Sequence, residues 1–215
     1  MTNIFSPFEY PEIKKLFSQL FDKLFDESER GAIIIATSHI EDHLTKYIES
    51  VLPDQTLKYK KRLFNYPGSL SSFSAKIELS YAFGLIDKNL FSRLNNLRKI
   101  RNEASHDSSA FSLNQLKDQI IEVYNLGPLV PEHIKKQSIE LMMKVKLDSI
   151  NSIFDEQNLS IDDRKKIISE ALENENTMDR LEKQLPHWEL LLGTCLLCGL
   201  ITYQKDKRQR KITEP

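Results

Sequence analysis

The sequence predicts an all-α protein, a helical bundle of about six to eight helices. Apolar residues recur at helical spacing along most of the chain, and no segment shows a stronger alternation of apolar and polar residues of the kind that strands require. Of the 215 residues, 40% are hydrophobic and 28% are charged, which is the balance of a soluble domain large enough for its own core. These observations favour helices packed around one core, with no need for a disulfide or metal staple.

The first two helices have the clearest apolar stripes. Residues 13–25 repeat Ile, Leu and Phe at positions i, i+3, i+4 and i+7, and Pro11 suits the first turn of this helix. A second helix is expected over about residues 29–52, where Pro53-Asp54 ends it.

The middle of the chain alternates turns with shorter helices. Residues 55–74 are irregular around the turn signal Pro67-Gly68. A helix then covers about residues 72–83, and Gly84 is placed to end it.

Asp87 is the expected cap of the following helix, which continues to about Ser105. Another short helix, capped by Ser112, is expected to end near Tyr124.

Gly127-Pro128 is the clearest boundary. Residues 1–127 are therefore predicted to form a helical core domain, and residues 128–215 a C-terminal helical extension packed on it. The extension should contain helices over about 131–154, 162–185 and 188–203.

The apolar segment 190–203 has fourteen residues, too few to span a bilayer. We expect it to be buried in the core or in a homodimer interface, so no membrane partner is expected. Cys195 and Cys198 lie in this segment with the spacing of a redox or zinc pair, but no second pair accompanies them. Buried, reduced thiols in a cytoplasmic protein are the simpler interpretation.

The net charge of −1 provides no overall field for attracting nucleic acid. A frayed and solvated tail is the preferred interpretation of the basic residues near the C-terminus, and weak contact with the phosphates of nucleic acid is the alternative. These residues are Lys205, Lys207, Arg208, Arg210 and Lys211.

Arg101 and His106 are separated by four residues in the segment LRKIRNEASHDSSAF. On an ideal helix Arg101 falls in the middle of the apolar stripe, where an unpaired charge would be costly. We therefore expect an ion pair between Arg101 and Glu29, with Glu41 as the second candidate.

Asn102 and His106 are i, i+4 neighbours, whereas Arg101 and His106 lie about 140° apart on a straight helix. These two side chains converge only if the helix ends or bends near Ser105. Two interpretations stay open: a catalytic cluster, or a structural role in which Arg101 joins helices and His106 caps a terminus.

His39 and His43 are an i, i+4 pair of the kind that can bind zinc. Because the acidic residues between them do not match a metalloprotease pattern, a solvated helix edge is preferred and no metal is expected.

Two stretches, residues 27–48 and 66–107, resemble the mannitol operon repressor family. The matching features are the turn Tyr66-Pro67-Gly68-Ser69, the helix end Tyr81-Ala82-Phe83-Gly84-Leu85-Ile86, the acidic residue Asp87 and the R-x-x-x-x-H-D segment from Arg101 to Asp107. The resemblance covers about residues 27–127 and is faint over 188–211. It implies a helical bundle acting in transcriptional control without a helix-turn-helix, through protein partners or weak DNA contact.

The same string, Arg101-Asn102 followed by His106, is similar to the motif of HEPN domains, which occur in many toxin and defence ribonucleases. That resemblance implies a site at a dimer interface, where the histidine exchanges a proton and the arginine holds the scissile phosphate without a metal.

From these features we expect a cytoplasmic, homodimeric transcriptional regulator of the mannitol operon repressor type, without a cofactor. The alternative is a metal-independent ribonuclease in which Arg101, Asn102 and His106 are catalytic. Whether the protein is an enzyme is left open, with the regulator favoured.

Overall fold

The structure is a computed structural model that describes residues 7–53, 59–106 and 111–213. Within these ranges the chain forms nine α-helices, one short 3₁₀ turn (Pro7–Glu9) and no strand, which confirms the predicted all-α bundle. The helices are α1 (Pro11–Asp26), α2 (Glu29–Val51), α3 (Lys60–Phe64), α4 (Phe73–Ala82), α5 (Lys88–His106), α6 (Lys117–Tyr124), α7 (Val130–Glu156), α8 (Ile161–Glu173) and α9 (Glu175–Thr213).

Local signals in the sequence set several helix ends. The Ser72 hydroxyl accepts a hydrogen bond of 3.2 Å from the Ala75 N–H at the start of α4. Asp87 Oδ1 accepts one of 2.8 Å from the Leu90 N–H at the start of α5. Gly84 follows α4 with a φ of 61°, a conformation that glycine adopts without strain. The predicted cap at Ser112 is wrong: α6 begins at Lys117 after a turn and has no side-chain cap.

The C-terminal helices are divided differently from the prediction. The helix expected over 162–185 ends at Glu173, and the rest of that segment joins the apolar segment in the 39-residue helix α9. Asn174 separates the two helices, because its Oδ1 atom accepts hydrogen bonds from the N–H groups of Asn176 and Thr177. Pro186 lies inside α9, where it removes one backbone hydrogen bond. Burial of the residues that follow offsets this cost.

Helix α9 runs through the centre of the core, where it packs against α1, α2, α6 and α7. Leu191, Cys195, Leu197 and Cys198 are fully buried, so the apolar segment and its two free cysteines belong to the core, as predicted. The predicted extension therefore shares one core with residues 1–127.

By length and composition alone α9 could cross a membrane, but 83% of its apolar window is buried inside the protein. This is the environment of a core helix and is compatible with a soluble protein.

Candidate functional site

The last two turns of α5 carry the three residues of the arginine–histidine motif. The buried stripe of this helix consists of Leu90, Leu94, Leu97, Ile100 and Ala104. Ile100 widens the stripe on the side away from Arg101, so Arg101 lies off the centre of the buried face, between Leu90 and Leu94. Its side chain is half-buried as a result.

The predicted ion pair between Arg101 and Glu29 is not formed. Glu29 Oε2 accepts a hydrogen bond of 2.8 Å from the Leu113 N–H, which uses its carboxylate to hold the segment before α6. The second candidate, Glu41, pairs with Lys76 of α4 at 2.5 Å. Arg101 forms no ion pair with any residue that the structure describes.

A different arginine, Arg30, joins α2 to the end of α5. Its Nη1 atom donates a hydrogen bond to the Ala104 carbonyl, and its guanidinium lies 5.3 Å from the centre of the Phe111 ring. Ala104 is in the last turn of α5, where the carbonyls have no partner within the helix and attract a cation. The sequence signal for this contact was weak, because Arg30 lies beside Glu29 in a charged stretch at the start of α2.

Arg101 and His106 do not converge within one chain. Helix α5 continues to His106 without the end or bend near Ser105 that convergence requires. Five residues of helix separate their Cα atoms by about 9 Å and point the side chains in directions about 140° apart. His106 is exposed and Asn102 is half-buried. Asp107, the last residue of the motif, lies outside the described residues.

On the other side of Glu29 is an aromatic cavity of about 490 Å³ between α1, α2, α7 and α9. Phe25 and His187 stack across it with ring centres 5.9 Å apart. Burial lowers the pKa of His187, and the nearby charge of Glu29 only partly opposes this effect. His187 is therefore a neutral ring near pH 7.

His39 and His43 of α2 are partly buried, whereas the sequence predicts that they lie on a solvated edge of the helix. His43 Nδ1 lies 3.4 Å from the Thr202 hydroxyl, which donates a hydrogen bond of 2.7 Å to Glu12. Burial lowers the pKa of His43 to about 4, with a further contribution from Lys46. Within the described ranges, no group of three or more His, Cys, Asp or Glu side chains could hold a metal ion.

The motif can thus offer a phosphate-binding arginine, an amide and an exposed histidine, but on two sides of one helix. Comparison of the chain with protein-family models, with curated proteins and with solved structures finds no match in any of the three.

Proposed function

We propose that this protein is a cytoplasmic transcriptional regulator of the mannitol operon repressor type that acts by binding a protein partner. The observation that carries the proposal is an open apolar groove in the helical arm, which we define as residues 143–185. Large exposed apolar surfaces on soluble domains commonly mark sites of protein interaction.

The groove lies between α7, α8 and α9 and has a volume of about 350 Å³. Its walls are mainly aliphatic and include Leu147, Ile150, Ile168, Leu172 and Leu181. Leu172 in this wall remains 44% exposed, so a partner bound in the groove could contact it. The aliphatic walls of the groove match the apolar side of an amphipathic helix.

The charge around the groove indicates which helix would fit. Lys146 and Arg180 line it, no carboxylate does, and neither cation forms an ion pair within the described part of the chain. An amphipathic helix of a partner protein with acidic residues beside its apolar stripe would satisfy both features.

The test is deletion of the gene followed by measurement of transcript levels and complementation. Wild-type protein and Leu129→Glu, which alters a 62% exposed leucine outside the groove, are expected to restore the transcript pattern. Leu172→Glu is expected to remain folded and to fail, because a carboxylate then occupies the apolar groove. Unchanged transcripts after deletion, or full restoration by Leu172→Glu, would contradict the proposal.

A second candidate function, a metal-independent ribonuclease, is favoured by the partly exposed side chain of Arg101, which has no carboxylate partner among the described residues. An arginine not committed to a carboxylate is available for a phosphate. Because the side chains of Arg101 and His106 diverge on one helix, this function requires a second copy of the chain to complete the site.

In the proposed reaction His106 of one copy removes the proton of the substrate 2′-hydroxyl, which attacks the neighbouring phosphorus. The bond from phosphorus to the 5′-oxygen breaks, and His106 of the other copy protonates the leaving oxygen. The products are a 2′,3′-cyclic phosphate and a 5′-hydroxyl, while Arg101 stabilises the charge that develops on phosphate.

This reaction is tested by incubating purified protein and single-stranded RNA with a chelator. His106→Ala should reduce cleavage by about 10²–10⁴-fold with an unchanged fold. Asn102→Ala should reduce it less, and His133→Ala, which removes an exposed histidine elsewhere, should leave it unchanged. Absence of cleavage by the wild type, or full cleavage by His106→Ala, would leave only the regulator proposal.

A further inference from the structure

A second surface, remote from the arginine–histidine motif, surrounds the short helix α3. Residues 59–69 border an open depression of about 860 Å³, and its lining, as far as the structure describes it, contains Lys61, Arg62 and two tyrosines but no carboxylate. The other lining groups are small, apolar or amide-bearing. The depression is therefore positively charged on a protein whose net charge is −1.

The tyrosines of this loop are unusually open to solvent. The side chain of Tyr66 is 92% exposed and that of Tyr59 is 59% exposed. An exposed aromatic ring has few contacts within the protein that would have to break when it binds a ligand. Its free face is available for stacking, and the neighbouring cations can contact the charges of the ligand.

The cations beside them are uncommitted. Lys61 and Arg62 are exposed, and neither forms an ion pair with a residue of the described ranges. Lys60, at the start of α3, is paired with Glu49 of α2 at 2.5 Å. That pair fixes the short helix against the end of α2.

The basic C-terminal segment reaches the same end of the bundle. The Tyr47 hydroxyl donates a hydrogen bond of 3.2 Å to the Gln204 carbonyl. Because residues two apart on a helix point about 200° apart, α9 contacts the face of α2 opposite to the one on which Glu49 holds α3. Beyond this point α9 exposes Lys207 and Arg208. The side chain of Lys211 lies outside the described part of the chain.

We propose that the surface around α3, which we call the basic end and define as Tyr59, Lys61, Arg62 and Tyr66, binds single-stranded nucleic acid. The cations would contact successive phosphates, and the tyrosines would stack on bases. A positively charged surface combined with stacking rings is the arrangement that binds single strands without sequence preference. A duplex hides the faces of its bases, so it gains only the phosphate contacts.

An anionic membrane is the other polyanion to consider, but the surface lacks the means to insert. Phe64 of α3 packs against the core, and Leu63, which lines the depression, is only partly exposed. Among the described residues of this surface, no fully exposed aliphatic side chain accompanies the cations. Interfacial binding of a helix requires an apolar face that enters the acyl boundary. Nucleic acid is therefore the occupant that fits the tyrosines and the cations together.

The basic end is separate from the arginine–histidine motif and does not depend on the function proposed above. Arg30, which contacts the end of α5, and Glu49, which contacts α3, are nineteen residues apart on α2, which corresponds to about 28 Å. Loss of binding here and loss of cleavage at His106 can therefore be measured independently.

The experiment is fluorescence anisotropy of the full chain with a labelled 12-nucleotide single strand, as RNA and as DNA. The DNA strand has no 2′-hydroxyl, so it reports binding even if the protein cleaves RNA. We expect binding of both strands, with a dissociation constant of about 1–100 µM near physiological salt, and weaker binding of a duplex of equal length.

Variants assign the binding to the basic end. Tyr66→Ser should weaken single-strand binding at least fivefold, since stacking on one ring is lost, whereas Phe83→Ser, which removes a 67% exposed ring outside the loop, should not. Lys61→Gln combined with Arg62→Gln should lower the slope of log K against log salt by about 1.4. The control pair Lys144→Gln and Lys165→Gln, which removes two exposed cations of the arm, should leave that slope unchanged.

Four results would overturn the proposal. They are no binding at about 100 µM, equal affinity for single strand and duplex, equal affinity of Tyr66→Ser and wild type, and binding of phosphatidylserine vesicles without binding of either oligonucleotide.

Discussion

Arg30 donates a hydrogen bond to the carbonyl of Ala104, and this contact ties the first turn of α2 to the last turn of α5. Arg30 therefore has the role of joining two helices that the sequence predicts for Arg101. The energetic consequences of the two arginines should therefore be the reverse of those expected from the sequence.

Arg30→Ala should destabilise the protein by about 1.5–3 kcal/mol, because it removes a charged hydrogen-bond donor from a helix-end carbonyl. Arg101→Ala should cost about 1 kcal/mol or less, because Arg101 is half-buried and its loss leaves no carboxylate of the described residues without a partner. Urea unfolding of both variants measures the difference. A larger loss of stability for Arg101→Ala than for Arg30→Ala would contradict this prediction and support the buried ion pair that the sequence predicts for Arg101.

The ion pair of Lys76 with Glu41 should be energetically coupled. Its side chains are only 8% and 20% exposed, so water screens the pair weakly. A double-mutant cycle with Lys76→Ala and Glu41→Ala should give a coupling energy of about 1–2 kcal/mol. The same cycle at Lys166 and Glu170, an exposed pair on α8, should give less than about 0.5 kcal/mol. Equal coupling in the two cycles would mean that burial does not strengthen the first pair.

His43 should make the protein less stable in acid. Its pKa is lowered to about 4 from the ordinary 6.5, chiefly by burial, so the unfolded chain binds the proton more tightly. The free energy of unfolding therefore keeps its full value above about pH 6.5. It decreases as the pH falls from 6.5 to 4, by about 3 kcal/mol at most.

His43→Gln keeps a polar side chain that does not titrate, so it should remove this part of the acid loss. Thermal or urea unfolding of wild type and variant between pH 7 and pH 4 gives the difference. The pKa values of His39 and His187 are also lowered, so the wild-type curve alone does not isolate His43. Parallel curves for the two proteins would exclude His43 as a source of the acid sensitivity.

Gly193 should be required for the packing of α9 against α6. A Cβ atom at this position would lie 2.6 Å from Cδ1 of the buried Tyr124 ring. Gly193→Ala should therefore cost about 1–3 kcal/mol despite the better helix propensity of alanine. Gly127→Ala is the control, since its nearest neighbour would be 3.9 Å away and it should be tolerated. A Gly193→Ala variant as stable as wild type would show that the Tyr124 ring can move aside.

The sequence by itself determined the fold class and the ends of several helices, because these depend on residues close together in the chain. The stripe of α1 is formed by side chains three and four positions apart, and its predicted core positions Ile13, Leu16, Leu20 and Leu24 are buried. The caps Ser72 and Asp87 act on N–H groups three residues away. The burial of Cys195 and Cys198 likewise follows from the apolar run around them.

Only the tertiary structure decided which polar groups meet, since partners distant in sequence compete for each site. Arg30 and Arg101 both lie near the end of α5, but the packing of α2 places Arg30 in contact with the Ala104 carbonyl. The carboxylate of Glu29 accepts a hydrogen bond from the Leu113 N–H and does not pair with Arg101. Pro186 would end an isolated helix, yet burial of the following turns keeps α9 continuous. Lys60 and Glu49 lie on different helices, and only the packing of α3 against the end of α2 brings them together beside the exposed tyrosines.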